Sequence, residues 1–63
     1  MQQLLTTDQL ADRWGLSANR LKQWRTEGKG PGFVKLGDGP KAPVRYKLED
    51  IEEFEKDRYY SAQ

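Results

Sequence analysis

The side chains with the clearest chemical capacity lie in one short segment, residues 18–26. They are amides, guanidinium groups and an amine, with no acid among them: Asn19, Arg20, Lys22, Gln23 and Arg25. Arg, Asn and Gln form paired hydrogen bonds with the edges of guanine and adenine in the major groove of DNA. An exposed helix face in a small domain usually mixes Glu with Lys, so a face without acids favours contact with a polyanion.

The charge of the chain is unevenly distributed, although its net value is only +1. Residues 1–47 hold nine Lys and Arg against four Asp and Glu, and residues 48–63 hold two against six. The first part is therefore net +5 and the second net −4. A concentrated basic segment is typical of proteins that bind polyanions. Charge alone does not separate this interpretation from a solvated basic surface.

Two short helices are predicted to position the polar segment. Thr6 and Gln9 fit a capping box that begins the first helix, and Gly15 is suited to end it. Ser17 is a strong N-cap for a second helix over about residues 18–26, which stops at Gly28. The apolar stripe of that second helix lies opposite its polar face: Ala18, Leu21 and Trp24.

The connection between these helices is tight, at residues 15–17. Helices joined so closely need a small residue at their contact, and Ala11 supplies it. A small residue, a turn glycine and two apolar residues follow one another at a spacing similar to that of the helix-turn-helix of DNA-binding proteins. They are Ala11, Gly15, Leu21 and Trp24. The alternative is an ordinary pair of antiparallel helices whose tryptophans are core residues, as they are expected to be in either case.

Residues 27–46 have the composition of a β-hairpin with a long loop. They contain five of the six glycines and all three prolines of the chain. Two short strands are predicted, at residues 33–36 and 44–47. A glycine-rich phosphate loop is disfavoured, because no glycine pattern of that kind follows a strand and opens a helix.

Basic residues are expected along the outer side of this hairpin. On the second strand, Arg45 and Lys47 share the face opposite Val44 and Tyr46. Lys41 lies near the tip of the hairpin. A helix-turn-helix followed by such a hairpin is a winged helix, which predicts a mainly helical fold in the order α-α-β-β-α.

A third helix is predicted over about residues 49–59, with its apolar positions three residues apart: Leu48, Ile51 and Phe54. Its other side is acidic: Glu52, Glu53, Glu55 and Asp57. Clustered carboxylates suggest acid–base chemistry or a cation site, but an amphipathic helix with an acidic solvent face is the more common explanation. Phosphates would repel that face, so it is expected to point away from DNA. Tyr59 and Tyr60 either close the core or contact a partner.

The order and spacing of these features extend over nearly the whole chain. They include Leu5-Thr6-Thr7, Leu10-Ala11, Trp14-Gly15-Leu16-Ser17, Leu21, Trp24, Glu27-Gly28-Lys29-Gly30-Pro31, Phe33-Val34-Lys35-Leu36-Gly37, Val44-Arg45-Tyr46 and Leu48-Glu49-Asp50-Ile51-Glu52-Glu53-Phe54. In these residues the chain resembles the MerR-like winged helix-turn-helix domains of phage and mobile-element excisionases and of AlpA-type regulators.

The resemblance implies that the second helix binds in the major groove of DNA and that the wing contacts the backbone or the adjacent minor groove. Four residues of the second helix would face DNA: Ser17, Asn19, Arg20 and Gln23. Phosphate contacts there would come from Lys22 and Arg25. The wing would contribute Lys35, Lys41, Arg45 and Lys47.

Two features depart from the pattern of that family. The wing loop, Gly37-Asp38-Gly39-Pro40-Lys41-Ala42-Pro43, is longer than the short turn common in these domains. No dimerisation helix follows the third helix, so we expect a monomer that assembles only on DNA.

Catalysis is not expected, because the chain has no Cys or His for a nucleophile–base pair. The same absence excludes disulfides and zinc sites built on Cys or His, and no metal or cofactor is expected. No apolar run approaches the roughly 20 residues of a membrane span. A single domain over residues 1–63, located on DNA in the cytoplasm, is the expectation.

The favoured function is sequence-specific binding of double-stranded DNA by an excisionase, which would help an integrase to reverse its reaction. A small transcriptional regulator of the same fold is nearly as well supported. The DNA-recognition part of a phage terminase small subunit is also similar. A different class of function is a protein-interaction module that uses the acidic helix and the tyrosines.

Overall fold

The computed structural model describes residues 3–59, which form three helices and a small antiparallel sheet. The elements in chain order are β1 (Leu4–Leu5), α1 (Thr7–Trp14), α2 (Ala18–Glu27), β2 (Val34–Lys35), β3 (Val44–Lys47) and α3 (Leu48–Asp57). This arrangement confirms the predicted fold class, a mainly helical winged helix-turn-helix. Over the described residues, no helix has the length and apolar character needed to cross a membrane.

The caps predicted from the sequence define α1 and α2. Thr6 Oγ1 accepts a hydrogen bond from the backbone N–H of Gln9 at 3.0 Å, and Gln9 Oε1 accepts one from the N–H of Thr6 at 2.9 Å. Gly15 ends α1 in the left-handed conformation at φ 68°, which costs glycine little because it has no Cβ. Ser17 Oγ then accepts from the N–H of Arg20 and begins α2. The chain therefore reverses within three residues.

The sheet has one strand more than the sequence pattern predicted. β3 is central and β1 and β2 lie on either side of it, so that Leu4 is opposite Lys47 and Val34 is opposite Arg45. A strand of two residues is too short to show an alternating pattern, so hydrophobic periodicity in the sequence does not predict β1. Its pairing to β3 holds the start of the described chain beside the hairpin.

The core lies where α1, α2, β3 and α3 meet. Its fully or nearly buried members are Leu10, Ala11, Leu21, Tyr46 and Ile51. The small side chain of Ala11 lets the two helices of the helix-turn-helix approach, as predicted. The two tryptophans lie at the rim of this core and are only half-buried.

These tryptophans form an aromatic cluster with Phe54. The ring centroids of Trp14 and Phe54 are 5.4 Å apart, and those of Trp14 and Trp24 are 6.4 Å apart. The backbone of Gly30 lies against the same cluster, where an added Cβ would come within 3.2 Å of Trp24. Because Gly30 also has φ 86°, both its shape and its conformation require glycine.

Helix α3 differs in two details from the sequence prediction. It begins directly at Leu48, because Lys47 is both the last residue of β3 and the N-cap of the helix. Glu55 was expected to face away with the other acids, and this was wrong. Its carboxylate accepts hydrogen bonds from Arg13 Nε at 2.8 Å, from Arg13 Nη2 at 2.9 Å and from Trp14 Nε1. These contacts fix α3 to the end of α1.

The predictions for the two tyrosines after α3 stand differently. Tyr59 is 76% exposed, so it does not close the core. Tyr60 lies outside the described residues, and its predicted role stays a prediction.

Candidate nucleic-acid interface

One exposed surface of α2 carries side chains that were predicted to contact DNA bases or phosphates. Asn19, Arg20, Lys22 and Gln23 are all exposed. Gln23 Nε2 donates a hydrogen bond to Glu27 Oε2 at 3.1 Å. Glu27 is the one acid of α2, and its contact holds the Gln23 amide on the helix surface.

Ser17 lies at the start of the same surface and is the N-cap of α2. Its Oγ accepts the capping hydrogen bond from Arg20 N–H at 3.1 Å. A serine hydroxyl also has a proton to donate. The cap therefore leaves Ser17, which is exposed, able to donate to an oxygen of a ligand.

A cleft of about 680 Å³ lies between α2 and the hairpin, and we call it the basic cleft. The start of α1 also reaches it, with Thr6, Thr7 and Asp8 among the lining residues. Asp8 is the one acid in the lining, against five cations. Those cations come from α2 and from both sides of the hairpin: Lys22, Arg25, Lys35, Lys41 and Arg45.

None of the five cleft cations forms an ion pair within residues 3–59, where the salt bridges are Arg13–Glu55 and Lys29–Glu27. Their positive charge is therefore not cancelled by a direct carboxylate contact. Clefts that are lined by charges of one sign concentrate the field and attract ions of the opposite sign. The basic cleft is thus suited to an anionic ligand.

Arg25 lies in the basic cleft but is held by protein atoms. Its Nη1 donates to Tyr46 Oη at 2.7 Å and to Thr7 Oγ1 at 3.2 Å. Its guanidinium carbon lies 5.6 Å from the ring centroid of Phe33 and 5.9 Å from that of Tyr46. Sequence reasoning identified Arg25 as a phosphate contact, and it gave no sign of these bonds.

The two cations of β3 have different surroundings. Arg45 and Lys47 share a face, as the alternation predicted, since Tyr46 between them is buried. Arg45 lines the basic cleft and donates to the carbonyl of Val44 at 2.8 Å. Lys47 is not in the lining and lies opposite Leu4 on the β1 side of the sheet. The structure thus brings the two phosphate contacts predicted on α2 together with three of the four predicted wing residues, and it leaves Lys47 apart.

The contribution of the start of α1 was missed from the sequence. The first turn of a helix has backbone N–H groups without helical partners and a partial positive charge. Thr6 and Thr7 bring that turn to the basic cleft. The capping box gave the position of this helix start along the chain, but no local pattern indicates that it faces the hairpin.

Acidic side chains do not gather into a second site in the described part of the chain. Within residues 3–59, no group of three or more acids is placed to hold a metal ion. The exposed acids of α3 instead form its solvent surface: Glu49, Glu52, Glu53 and Asp57.

Comparison with known proteins identifies the architecture independently. A family model described as a helix-turn-helix domain matches residues 4–59, which include all six elements. No curated protein and no solved structure matches the chain.

Proposed function

The chain belongs to the helix-turn-helix domain family, and on that premise we propose that it binds double-stranded DNA sequence-specifically. In this proposal α2 enters the major groove, and its exposed amides and guanidinium contact base edges. The cleft cations contact phosphates and set the register of the protein on the duplex.

The observation that carries the proposal is the position of the basic cleft beside the exposed surface of α2. Asn19, Arg20 and Gln23 supply groups that distinguish base pairs. Five cations without ion pairs among the described residues supply an attraction that does not depend on sequence. A DNA-binding domain needs both, and here the two are adjacent.

The acidic surface of α3 supports an orientation for the domain. Phosphates repel Glu49, Glu52 and Glu53, so the complex places this surface away from DNA. That surface is then free to contact another protein, including a neighbouring copy on tandem sites. Assembly on DNA is the form of self-association that we propose.

The biological role that we propose is that of an excisionase acting with an integrase, on DNA in the cytoplasm. The support is the resemblance of the chain to small domains of mobile elements. A transcriptional regulator has the same fold and the same interface. The two roles differ in what the protein does to its site, because an excisionase organises several copies and bends the DNA.

Selection from a library of random DNA duplexes, at near-physiological salt, tests DNA binding directly. We expect a defined motif among the retained sequences. Arg20→Ala should relax the motif at one base pair. Arg58→Ala should leave the motif unchanged, since Arg58 lies over the Phe54 ring at 4.0 Å and does not line the basic cleft. Retention without any motif would contradict sequence-specific reading, and no retention would contradict DNA binding altogether.

The selected motif then separates the two roles. Duplexes with one or several tandem copies of it, placed at the end or the middle of a fragment, report bending through their electrophoretic mobility. Cooperative binding to tandem copies with a bend is expected of an excisionase. Independent binding to one copy without a bend would favour the regulator.

A further inference from the structure

Arg25 is held differently from the other cations of the basic cleft. Within residues 3–59, the side chains of Lys22, Lys35 and Lys41 form no hydrogen bond or ion pair, and Arg45 bonds only to the carbonyl before it. Arg25 instead connects three elements. It extends from α2 to Thr7 at the start of α1 and to Tyr46 on β3.

The partners of Arg25 share one property, which is that none is an acid. Two hydroxyl groups accept its hydrogen bonds, and the rings of Phe33 and Tyr46 lie within 6 Å of its guanidinium carbon. Hydroxyl groups and ring faces attract a guanidinium without carrying an opposite formal charge. The side chain is therefore held in place while its positive charge stays available to the cleft.

From this geometry we propose that Arg25 is a positioning residue for DNA binding. Its guanidinium holds the hairpin at a fixed distance from α2, so that cations on both sides of the basic cleft meet phosphates of one duplex together. The inference rests on the proposed DNA-binding function. It adds that the spacing between α2 and the wing is set by the Arg25–Tyr46–Thr7 contact before DNA arrives.

Preorganisation explains why such a contact matters for affinity. Without it the hairpin and its lysines lose freedom only when they bind, and each ordered side chain then weakens binding. With it that ordering is already present in the free protein. The contact thus acts through Lys35 and Lys41, and it acts equally on every DNA sequence.

Tyr46→Phe is the sharpest test, because Tyr46 is 1% exposed and does not reach DNA. The variant removes one hydroxyl acceptor and no charge. We expect binding to a fluorescein-labelled duplex of random sequence to weaken about three- to tenfold, comparable to ordering one or two side chains. The slope of log affinity against log salt concentration should be unchanged, because no cation is lost.

Tyr59→Phe is the matched control, since it removes the same hydroxyl from a tyrosine that is 76% exposed and lies beyond α3. It should bind as the wild type does. Thermal melting followed by tryptophan fluorescence checks that each variant is folded at the assay temperature. If Tyr46→Phe is not folded there, Thr7→Val provides the same comparison by removing the other acceptor.

Arg25→Lys separates positioning from a simple charge contact. Lysine keeps the charge, but its Nζ ends one bond short of the Nη1 that donates to both acceptors, and it lacks the planar guanidinium that lies near the two rings. The affinity of Arg25→Lys should therefore fall nearly as far as that of Arg25→Ala. In the Arg25→Ala background, Tyr46→Phe should cause no further loss of affinity. A full additive loss, or wild-type affinity in a folded Tyr46→Phe, would overturn the positioning role while leaving DNA binding intact.

A wild-type protein that binds no duplex would overturn the proposed function and this inference together. The wild-type titration and the variant titrations use the same labelled duplex. The failure of DNA binding is therefore seen in the first titration, and the failure of the positioning role is seen only in the comparison with the variants.

Discussion

Two regions of this domain use cations in opposite ways. At the aromatic cluster, Arg13 is paired with Glu55, and Arg58 lies over the ring of Phe54. In the basic cleft, Lys22 and Lys35 have no ion-pair partner among the described residues. The first arrangement fixes one helix to another. The second keeps positive charge exposed at some cost in mutual repulsion, and an anion bound there would offset that cost.

Arg25 lies between these two arrangements. It fixes elements to one another, as Arg13 does, yet its partners are neutral hydroxyl groups and rings. A carboxylate partner offsets the charge of its arginine, whereas the hydroxyl and ring partners of Arg25 leave its charge available to an anion. A carboxylate in place of Tyr46 would hold Arg25 as well, but it would offset the charge of Arg25.

The largest expected effect comes from placing an acid in the basic cleft, as Glu55 is placed beside Arg13. Lys22→Glu places a carboxylate one helical turn before Arg25 and reverses a charge that lines the basic cleft. Like charges across an interface cost several kcal/mol, so we expect affinity for any duplex to fall on the order of 100-fold. The midpoint of urea unfolding should change little. Fluorescence anisotropy of a labelled duplex measures the affinity, and a loss below tenfold would place Lys22 outside the interface.

Arg20→Ala is expected to have the next largest effect, and only on the selected site. Loss of a base contact should cost about 1–3 kcal/mol there and relax the preference at one base pair. Competition between the selected duplex and random duplex measures this directly. An equal loss on both would mean that Arg20 contacts phosphate rather than a base.

Lys41→Ala is expected to have a smaller effect, because it removes a single cation of the hairpin loop. Binding should weaken modestly and equally on all sequences, and the slope of log affinity against log salt should fall by about 0.9. Salt titrations of the variant and the wild type give that slope. An unchanged slope would remove Lys41 from the interface and leave the basic cleft open at its loop side.

Glu55→Gln should leave DNA affinity unchanged and alter only stability. The Arg13 hydrogen bonds, followed by that of Trp14, lower the pKa of Glu55 from 4.5 to about 2. A lowered pKa stabilises the fold fully above pH 4.5, and that contribution disappears as the pH falls to about 2. The urea midpoint of the variant should therefore be lower at neutral pH and converge with that of the wild type in acid.

Glu53→Gln is the matched control for this change, since Glu53 is exposed and has no ion-pair partner in the part of the chain that the structure describes. It should show no such pH-dependent difference in stability. A weaker affinity of Glu55→Gln for DNA would show that the contact between Arg13 and Glu55 also affects the basic cleft, and that the two regions do not act separately.

Local chemistry was enough to predict the helices and their faces. Thr6, Gly15 and Ser17 act within three or four residues of themselves, so their capping roles are readable in the chain. The polar face of α2 follows in the same way, because the period of a helix fixes which side chains share a surface. The winged order of elements then followed from the glycines and prolines of the hairpin.

The contacts between different elements that sequence reasoning missed join residues far apart in the chain. Glu55 was placed with the solvent-facing acids, since nothing near it in the chain indicates that Arg13 is its neighbour in space. Arg25 and Tyr46 come from different elements in the same way. Such pairs depend on how the elements pack, and a single sequence contains no periodic pattern that reports packing.

The pairing of β1 with β3 has a consequence for how the domain folds. The two helices of the helix-turn-helix and the hairpin each close over short stretches of chain, whereas Leu4 meets Lys47 only after both have been brought together. Closing a long loop costs chain entropy, and non-local contacts slow folding. We therefore expect β1 to join last and to leave first. Hydrogen exchange at the Leu48 amide, which donates to the carbonyl of Gln3 at 2.9 Å, should be faster than exchange within α1 and α2.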